Sequence, residues 1–312
     1  MEKISENGAY KELPMEFYHG DCCVGPSVSS TVLRAVEQKS ERHGWLKSPL
    51  NPDRGKDGKT TTPLRIGSAV HSLAFDKDGL DPRWFVKSPF DEFRTNEAKR
   101  WRDLQINAGK TILKQSEFDL IRDITDALLE EPVIQQGLFD ERGEIETSLI
   151  YQDEETGLWL KSRPDVVPVN PIITDLKVVA DASRRAVEYS IMDNGYHMQL
   201  GLAAEIMERL LGNKIEEFWL ILVEKEPPHP VTFAEISMDL IAWGRVLNRS
   251  AIRRFAQCVK KGVDKTNFPK DLREKEMAID TPAWYHASLT RRQESGELPS
   301  VMEACGPFSF GE

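Results

Sequence analysis

Two acidic side chains and one ammonium group stand out by their spacing. Asp175 and Lys177 are two residues apart in the run Ile172-Ile173-Thr174-Asp175-Leu176-Lys177-Val178-Val179. Side chains alternate along a strand, so both project from one face. Asp165 lies ten residues earlier, and a turn at Asn170-Pro171 predicts that it folds back beside Asp175. Hard divalent cations such as Mg2+ take one or two carboxylates together with water and substrate phosphate. A lysine beside them orients a water or stabilises charge on a phosphodiester under attack. Taken alone, Asp-x-Lys is more often a weak ion pair on a solvated face. Here it interrupts an apolar, β-branched run, where a charged pair is costly unless it is compensated or functional.

The elements that must position these groups follow from local patterns. Alternation in EIETSLIYQ, a turn at DEETG, renewed alternation in LWLKSRPDVVPV and the IITDLKVVA run predict a three-stranded antiparallel meander over about 144–180. Residues 196–211 have the length and apolar spacing of a packed helix, EEFWLILVEKE reads as a buried strand, FAEISM as one more, and 238–261 as a long helix ending in Lys260, Lys261 and Gly262. The first half reads as mainly helical. Helices are expected from Pro26 to about Gln38 with serine caps, over LRIGSAVHSLAFD with Gly67 and Ala69 allowing close packing, over 96–114, and over EFDLIRDITDALLEE with Ser116 and Asp119 as a capping box. A mobile loop is expected at NPDRGKDGKTTTP. The expected architecture is therefore α/β: a central mixed sheet, built from the meander and the strand near 217–224, flanked by helices. Residues 1–135 would form a helical N-terminal part, 136–262 the core, and 263–312 a C-terminal extension.

Composition narrows the function classes. With 312 residues, 40% hydrophobic and 29% charged, the chain can bury a substantial core. No stretch approaches the roughly 20 apolar residues of a membrane span, and no apolar leader segment opens the chain, so a cytosolic protein is expected. Cys22, Cys23, Cys258 and Cys305 contain no C-x-x-C and suggest neither a disulfide framework nor a zinc or iron-sulfur site. The net charge of −10 does not exclude a nucleic-acid partner, because residues that gather carboxylates for a cation create part of that balance. A Walker A motif is absent from the sequence, so ATP hydrolysis is not expected.

Arg163-Pro164-Asp165, Asp175-Leu176-Lys177 and Tyr196-His197-Met198-Gln199, in that order, resemble the PD-(D/E)XK nuclease superfamily and most closely its phage-type exodeoxyribonuclease VIII branch. Gly67-Ser68-Ala69-Val70-His71 is similar to that branch's Gly-x-x-x-His helix, and the Gly157-Leu158 turn fits as well. The resemblance covers about residues 26–225 and implies a restriction-endonuclease-like core. It implies metal ligation by Asp165, Asp175, the backbone carbonyl of Leu176 and His71, the last supplied by the N-terminal part. Lys177 would serve the water and the transition state, and Gln199 would brace Lys177 or contact DNA. Tyr196 shares the face of Gln199, Glu146 matches a family glutamate, and Lys161, Arg163, Arg184 and Arg185 form a group hypothesis for the DNA path.

The function so implied is an Mg2+-dependent exonuclease, with Mn2+ as a substitute, acting on double-stranded DNA ends in the 5′ to 3′ direction during phage-type recombination or repair. A homo-oligomeric ring and a single-strand annealing partner come with the resemblance. An endonuclease of the same superfamily and a non-cutting DNA- or protein-binding module are the alternatives, and a requirement for a free DNA end separates the exonuclease from the endonuclease.

Overall fold

The structure, a computed structural model, describes residues 1–54, 62–75, 80, 85–135, 143–270 and 283–298. Most of the loop expected near residue 55 and the position of Cys305 lie outside these residues. The chain forms two compact units, Met1–Lys270 and Asp271–Glu312.

The larger unit opens with β1 (Gly8–Tyr10), α1 (Met15–His19), β2 (Ser27–Ser29), α2 (Ser30–Gln38), α3 (Glu41–Lys47) and α4 (Thr62–Phe75). It continues with β3 (Phe85–Lys87), α5 (Asn96–Asn107), β4 (Thr111–Leu113), α6 (Gln115–Leu129) and α7 (Pro132–Gln135). The second half contains β5 (Glu144–Ile145), β6 (Ser148–Gln152), β7 (Trp159–Ser162), β8 (Val166–Val167) and β9 (Ile172–Val179). Then come α8 (Arg184–Asp193), α9 (Tyr196–Leu211), β10 (Glu217–Glu224), β11 (Val231–Glu235) and α10 (Met238–Lys261). In the smaller unit the described residues contain α11 (Ala283–Glu294), followed by an Arg292–Glu297 ion pair. The fold is mixed α/β, with sheets flanked by helices, as expected.

The expected meander is distributed over separate sheets. β6 and β7 do form an antiparallel hairpin, running from Leu149 opposite Ser162 to Gln152 opposite Trp159, within a sheet of order β1-β6-β7-β2. β5 pairs with β8. β9 instead runs parallel to β10, in a sheet of order β11-β10-β9. The reason lies in the two faces of these strands. On β10, Phe218, Leu220 and Leu222 pack with residues of α2, α9 and α10, whereas Ile221 and Val223 pack with Ile66, Ala69 and Val70 of α4 and Ile121, Ile124 and Leu128 of α6. A strand apolar on both faces needs helices on both, and parallel pairing through a helical crossover supplies them. Each such side chain contributes roughly 1.5–3 kcal/mol by burial.

Three helical boundaries also shift. Residues 27–29 form β2, parallel to β7, so α2 starts only at Ser30, and its N-cap Ser29 makes no side-chain cap. The reciprocal bond at the start of α6 uses Glu117, whose carboxylate accepts from the Lys114 N–H at 2.9 Å, rather than Ser116 and Asp119. The 96–114 segment divides into α5 and β4 at Gly109, which takes φ +72°. Gly67 provides no close approach, because a Cβ there would meet nothing within 4 Å, while Ala69 is fully buried. Close approach occurs instead between α9 and α10, where a Cβ at Gly244 would land on the His197 carbonyl.

Candidate active site

The alternation of β9 assigns its side chains to opposite layers. Ile173 belongs to the cluster on the α9 side, and Leu176 belongs to the cluster on the α4 side. Asp175 and Lys177 share the parity of Ile173 and therefore face the start of α9. There the Gln199 carboxamide donates to Oδ1 of Asp175 at 2.9 Å. The Lys177 ammonium forms an ion pair with Oδ2 of Asp175 and lies 5.3 Å from the centre of the Tyr196 ring. Tyr196 and Gln199 are one turn apart, which places both on the helix face that meets β9.

Asp165 reaches the same place from the segment between β7 and β8. Its Oδ2 accepts from the Leu176 N–H at 2.7 Å, and its carbonyl accepts from the Glu146 N–H at 3.0 Å. Nδ1 of His71 lies 3.2 Å from Oδ1 of Asp165, so α4 approaches this carboxylate. Glu146 itself is exposed and adopts φ +44°, a left-handed conformation uncommon for a residue with a side chain.

Burial and charge oppose each other here. Burial pushes the Asp175 carboxyl above its ordinary range and Asp165 adds to that, against the pull of Lys177. Burial works the same way on Asp165, but His71, Lys177 and the Leu176 N–H outweigh it and hold this carboxyl below the usual range. Burial disfavours the charged forms of His71 and Lys177, yet the two carboxylates raise both. The result is a desolvated cluster whose ionisation depends on its own members.

These residues fit a divalent cation through one feature. Oδ2 of Asp175 is buried, lies beside the ammonium, and receives no hydrogen bond of suitable angle. The Lys177 ammonium is this oxygen's charge partner and meets one of its lone pairs, so a cation shared with Asp165 would fit the other. Among the described residues no three His, Cys, Asp or Glu side chains are already gathered as a ligand set. The carboxylates turn instead to His71, Lys177 and the Leu176 amide.

Two residues expected along the DNA path, Lys161 and Arg163, have partners within the fold. Lys161 is buried, and its Nζ donates to the carbonyls of Tyr18 at 2.6 Å and Gly20 at 3.3 Å and lies 3.5 Å from Sγ of Cys22. Arg163 donates to Oγ of Ser148 at 2.8 Å and to the Leu13 carbonyl at 2.6 Å, with its guanidinium 4.5 Å from the Tyr18 ring. Parity explains Lys161: Trp159, on the same face of β7, packs in the cluster of Ile4, Tyr18, Cys22 and Cys23. Arg184 and Arg185 are exposed at the start of α8, Arg184 paired with Glu188 and Arg185 over the Tyr189 ring. Arg34 and Gln38, which contact the α8–α9 turn, were not expected, because no local pattern marks a contact with residues so distant in sequence.

The profile of the PDDEXK-like domain of unknown function (DUF3799) matches residues 29–267. The chain belongs to this family. The match spans every residue of the site, from His71 to Gln199, so the PDDEXK-like domain contains both the α4 and the α9 contributions. A solved candidate exonuclease from Eubacterium rectale superposes with a TM-score of 0.52 at 13% identity, covering 95% of this chain and 99% of that one, and so shares the fold. A phage-related exonuclease from Haemophilus somnus 129PT aligns at a TM-score of 0.32 and 12% identity, over 75% and 96% of the two chains. A search of curated proteins finds no match. No helix among the described residues is long and apolar enough to cross a membrane.

Proposed function

We propose that this PDDEXK-like protein is a metal-dependent DNA nuclease that hydrolyses phosphodiester bonds from duplex ends, as the resemblance to the exodeoxyribonuclease VIII branch implies. The observation that supports the reading is the meeting of half-buried Asp165 and Lys177 with buried Asp175 in one cluster, with Gln199 holding Asp175. Asp165 and Asp175 would hold Mg2+, or Mn2+ in its place, together with the Leu176 carbonyl and His71. When bound, the cation supplies a water of lowered pKa and neutralises charge on the phosphodiester. Gln199 fixes the Asp175 carboxylate through Oδ1 and leaves Oδ2 directed into the site. Lys177 donates toward the attacking water or the phosphate oxygen that gains charge, and the Tyr196 ring restricts where its ammonium sits.

Glu146, Arg184 and Arg185 are exposed and carry the proposed contacts to DNA. Binding through the arginines weakens as salt rises, with a slope set by the number of phosphates contacted. A ring-shaped homo-oligomer, 5′ to 3′ polarity and a single-strand annealing partner in recombination belong to the same proposal.

Linear and covalently closed duplex DNA, incubated with Mg2+ or EDTA, tests the reading in wild type and Lys177→Ala. Loss of the linear DNA alone, requiring metal and abolished in the variant, is the expected result. Cutting of closed circles would replace the exonuclease reading with an endonuclease, and absence of any cutting would replace it with a binding module.

A further inference from the structure

Arg34 and Gln38 stand four residues apart on α2 and so present one face. That face meets the turn joining α8 to α9. Nη1 of Arg34 donates to the Asn194 carbonyl, and Nε2 of Gln38 donates to the carbonyls of Asp193 at 2.9 Å and Met192 at 3.3 Å. These carbonyls belong to the end of α8, where helical acceptors lack partners within their own helix. Immediately beyond them Gly195 takes φ +62° and caps α9, its carbonyl accepting from the N–H groups of Met198 and Gln199 at 3.1 Å each. A Cβ on Gly195 would come within 2.8 Å of Cδ of Arg34. The arginine stem thus fills the space that glycine leaves open.

The support behind this contact is packed into the core. Val32, Leu33 and Val36 of α2 are buried in the main core, and Arg254 of α10 donates to the Val36 carbonyl at 3.2 Å and to Glu37 at 2.6 Å. The next residue after Gly195 is Tyr196, against Lys177, and one turn on is Gln199, bonded to Asp175. Burial lowers the Arg34 guanidinium and Tyr196 and Asp175 oppose that, which puts Arg34 within electrostatic reach of the site.

We propose that Arg34 and Gln38 are positioning residues that hold the α8–α9 turn, so that the first turn of α9 presents Tyr196 and Gln199 to Lys177 and Asp175. The inference rests on the nuclease reading for its consequence in activity, and on the hydrogen bonds for its consequence in structure.

The test uses the full chain as wild type, Arg34→Ala, Arg34→Lys, Gln38→Ala, Gln199→Ala and Arg34→Ala/Gln199→Ala. On linear duplex DNA with Mg2+, Arg34→Ala is expected to lower kcat by about 10- to 100-fold, the scale of a misplaced group. KM should change by less than about twofold, and Arg34→Lys should recover part of the loss. The double variant should lose less than the product of the two single losses, because both changes release the Gln199 contact and such losses are not additive. Amide hydrogen exchange over residues 195–200 should speed up in Arg34→Ala and Gln38→Ala while α10 stays unchanged.

A raised KM at constant kcat, fully additive losses, or unchanged exchange at 195–200 would each overturn the assignment. So would a lowered melting temperature with kcat per folded molecule intact. If the wild type cuts no DNA the nuclease reading fails, and the exchange measurement still decides whether the turn is held by Arg34 and Gln38.

Discussion

The Gln199 carboxamide donates to Oδ1 of Asp175 at 2.9 Å across the gap between α9 and β9. A neutral donor meets a buried carboxylate there, and the bond determines which oxygen remains for a cation. Gln199→Ala is expected to reduce kcat by roughly 10- to 100-fold, and Gln199→Glu to reduce it further by setting a second negative charge against Asp175. Single-turnover cleavage of linear duplex DNA measures both, and a variant with wild-type kcat would remove Gln199 from the site.

Asp175→Asn should abolish cleavage, and the metal-free variant should lose less stability than wild type as pH rises, because the amide removes a carboxyl that burial makes costly to ionise. The sign follows from the carboxyl's raised pKa: the native state holds its proton more tightly than the unfolded chain, so the ionised form is the costly one above that range. Mg2+ should restore the balance in wild type by binding only the folded state and raising its melting temperature. Calorimetric melting of wild type and Asp175→Asn at several pH values, with and without Mg2+, checks both halves.

Acid should unfold the protein partly through Asp153. Burial opposes its ionisation, but the Thr156 hydroxyl at 2.6 Å, the Thr156 N–H at 3.0 Å and Arg249 at 2.7 Å overcome that and hold the carboxyl below its ordinary range. A lowered folded pKa contributes stability that is present above the unfolded value, about 3.9, and is lost as pH falls through the folded one. Arg249→Met should cost about 3 kcal/mol at neutral pH by stranding a buried carboxylate, with the difference from wild type shrinking as acid protonates that carboxylate. Urea midpoints at several pH values provide the comparison.

Gly244→Ala should be destabilising by about 3 kcal/mol or more, at the upper end of overpacking, because the added methyl meets the His197 carbonyl and part of the α9 backbone. The strain falls on the helix that carries Tyr196 and Gln199. Chemical unfolding gives the stability change, and cleavage rate per folded molecule shows whether α9 has moved; a stable, fully active variant would contradict the close packing described.

Several features were legible in local sequence because local physics sets them. α9 at 196–211 matches the range read from length and apolar spacing, and α10 at 238–261 the range ending in Lys260, Lys261 and Gly262. The buried strand near 217–224 follows from its unbroken apolar run, and the shared face of Asp175 and Lys177 from strand alternation. The PDDEXK-like identity was legible in the ordered motifs for the same reason: spacing along a strand and a helix is a local quantity.

Tertiary structure alone decided which surface each face meets. Lys161 and Arg163 sit beside the motif in sequence, yet Lys161 donates to the Tyr18 carbonyl and Arg163 to the Leu13 carbonyl, both contributed by the N-terminal segment. β9 continues the chain after the β6–β7 hairpin but pairs with β10, because only a parallel neighbour with helices on both sides buries both of its apolar faces. Arg34 shows the same limit from the other direction: its role depends on the carbonyl of Asn194, far along the chain, and nothing local encodes a contact of that range. Residue type and short-range period thus determined which groups could do chemistry; the packing of two-faced strands between helices determined which of them meet.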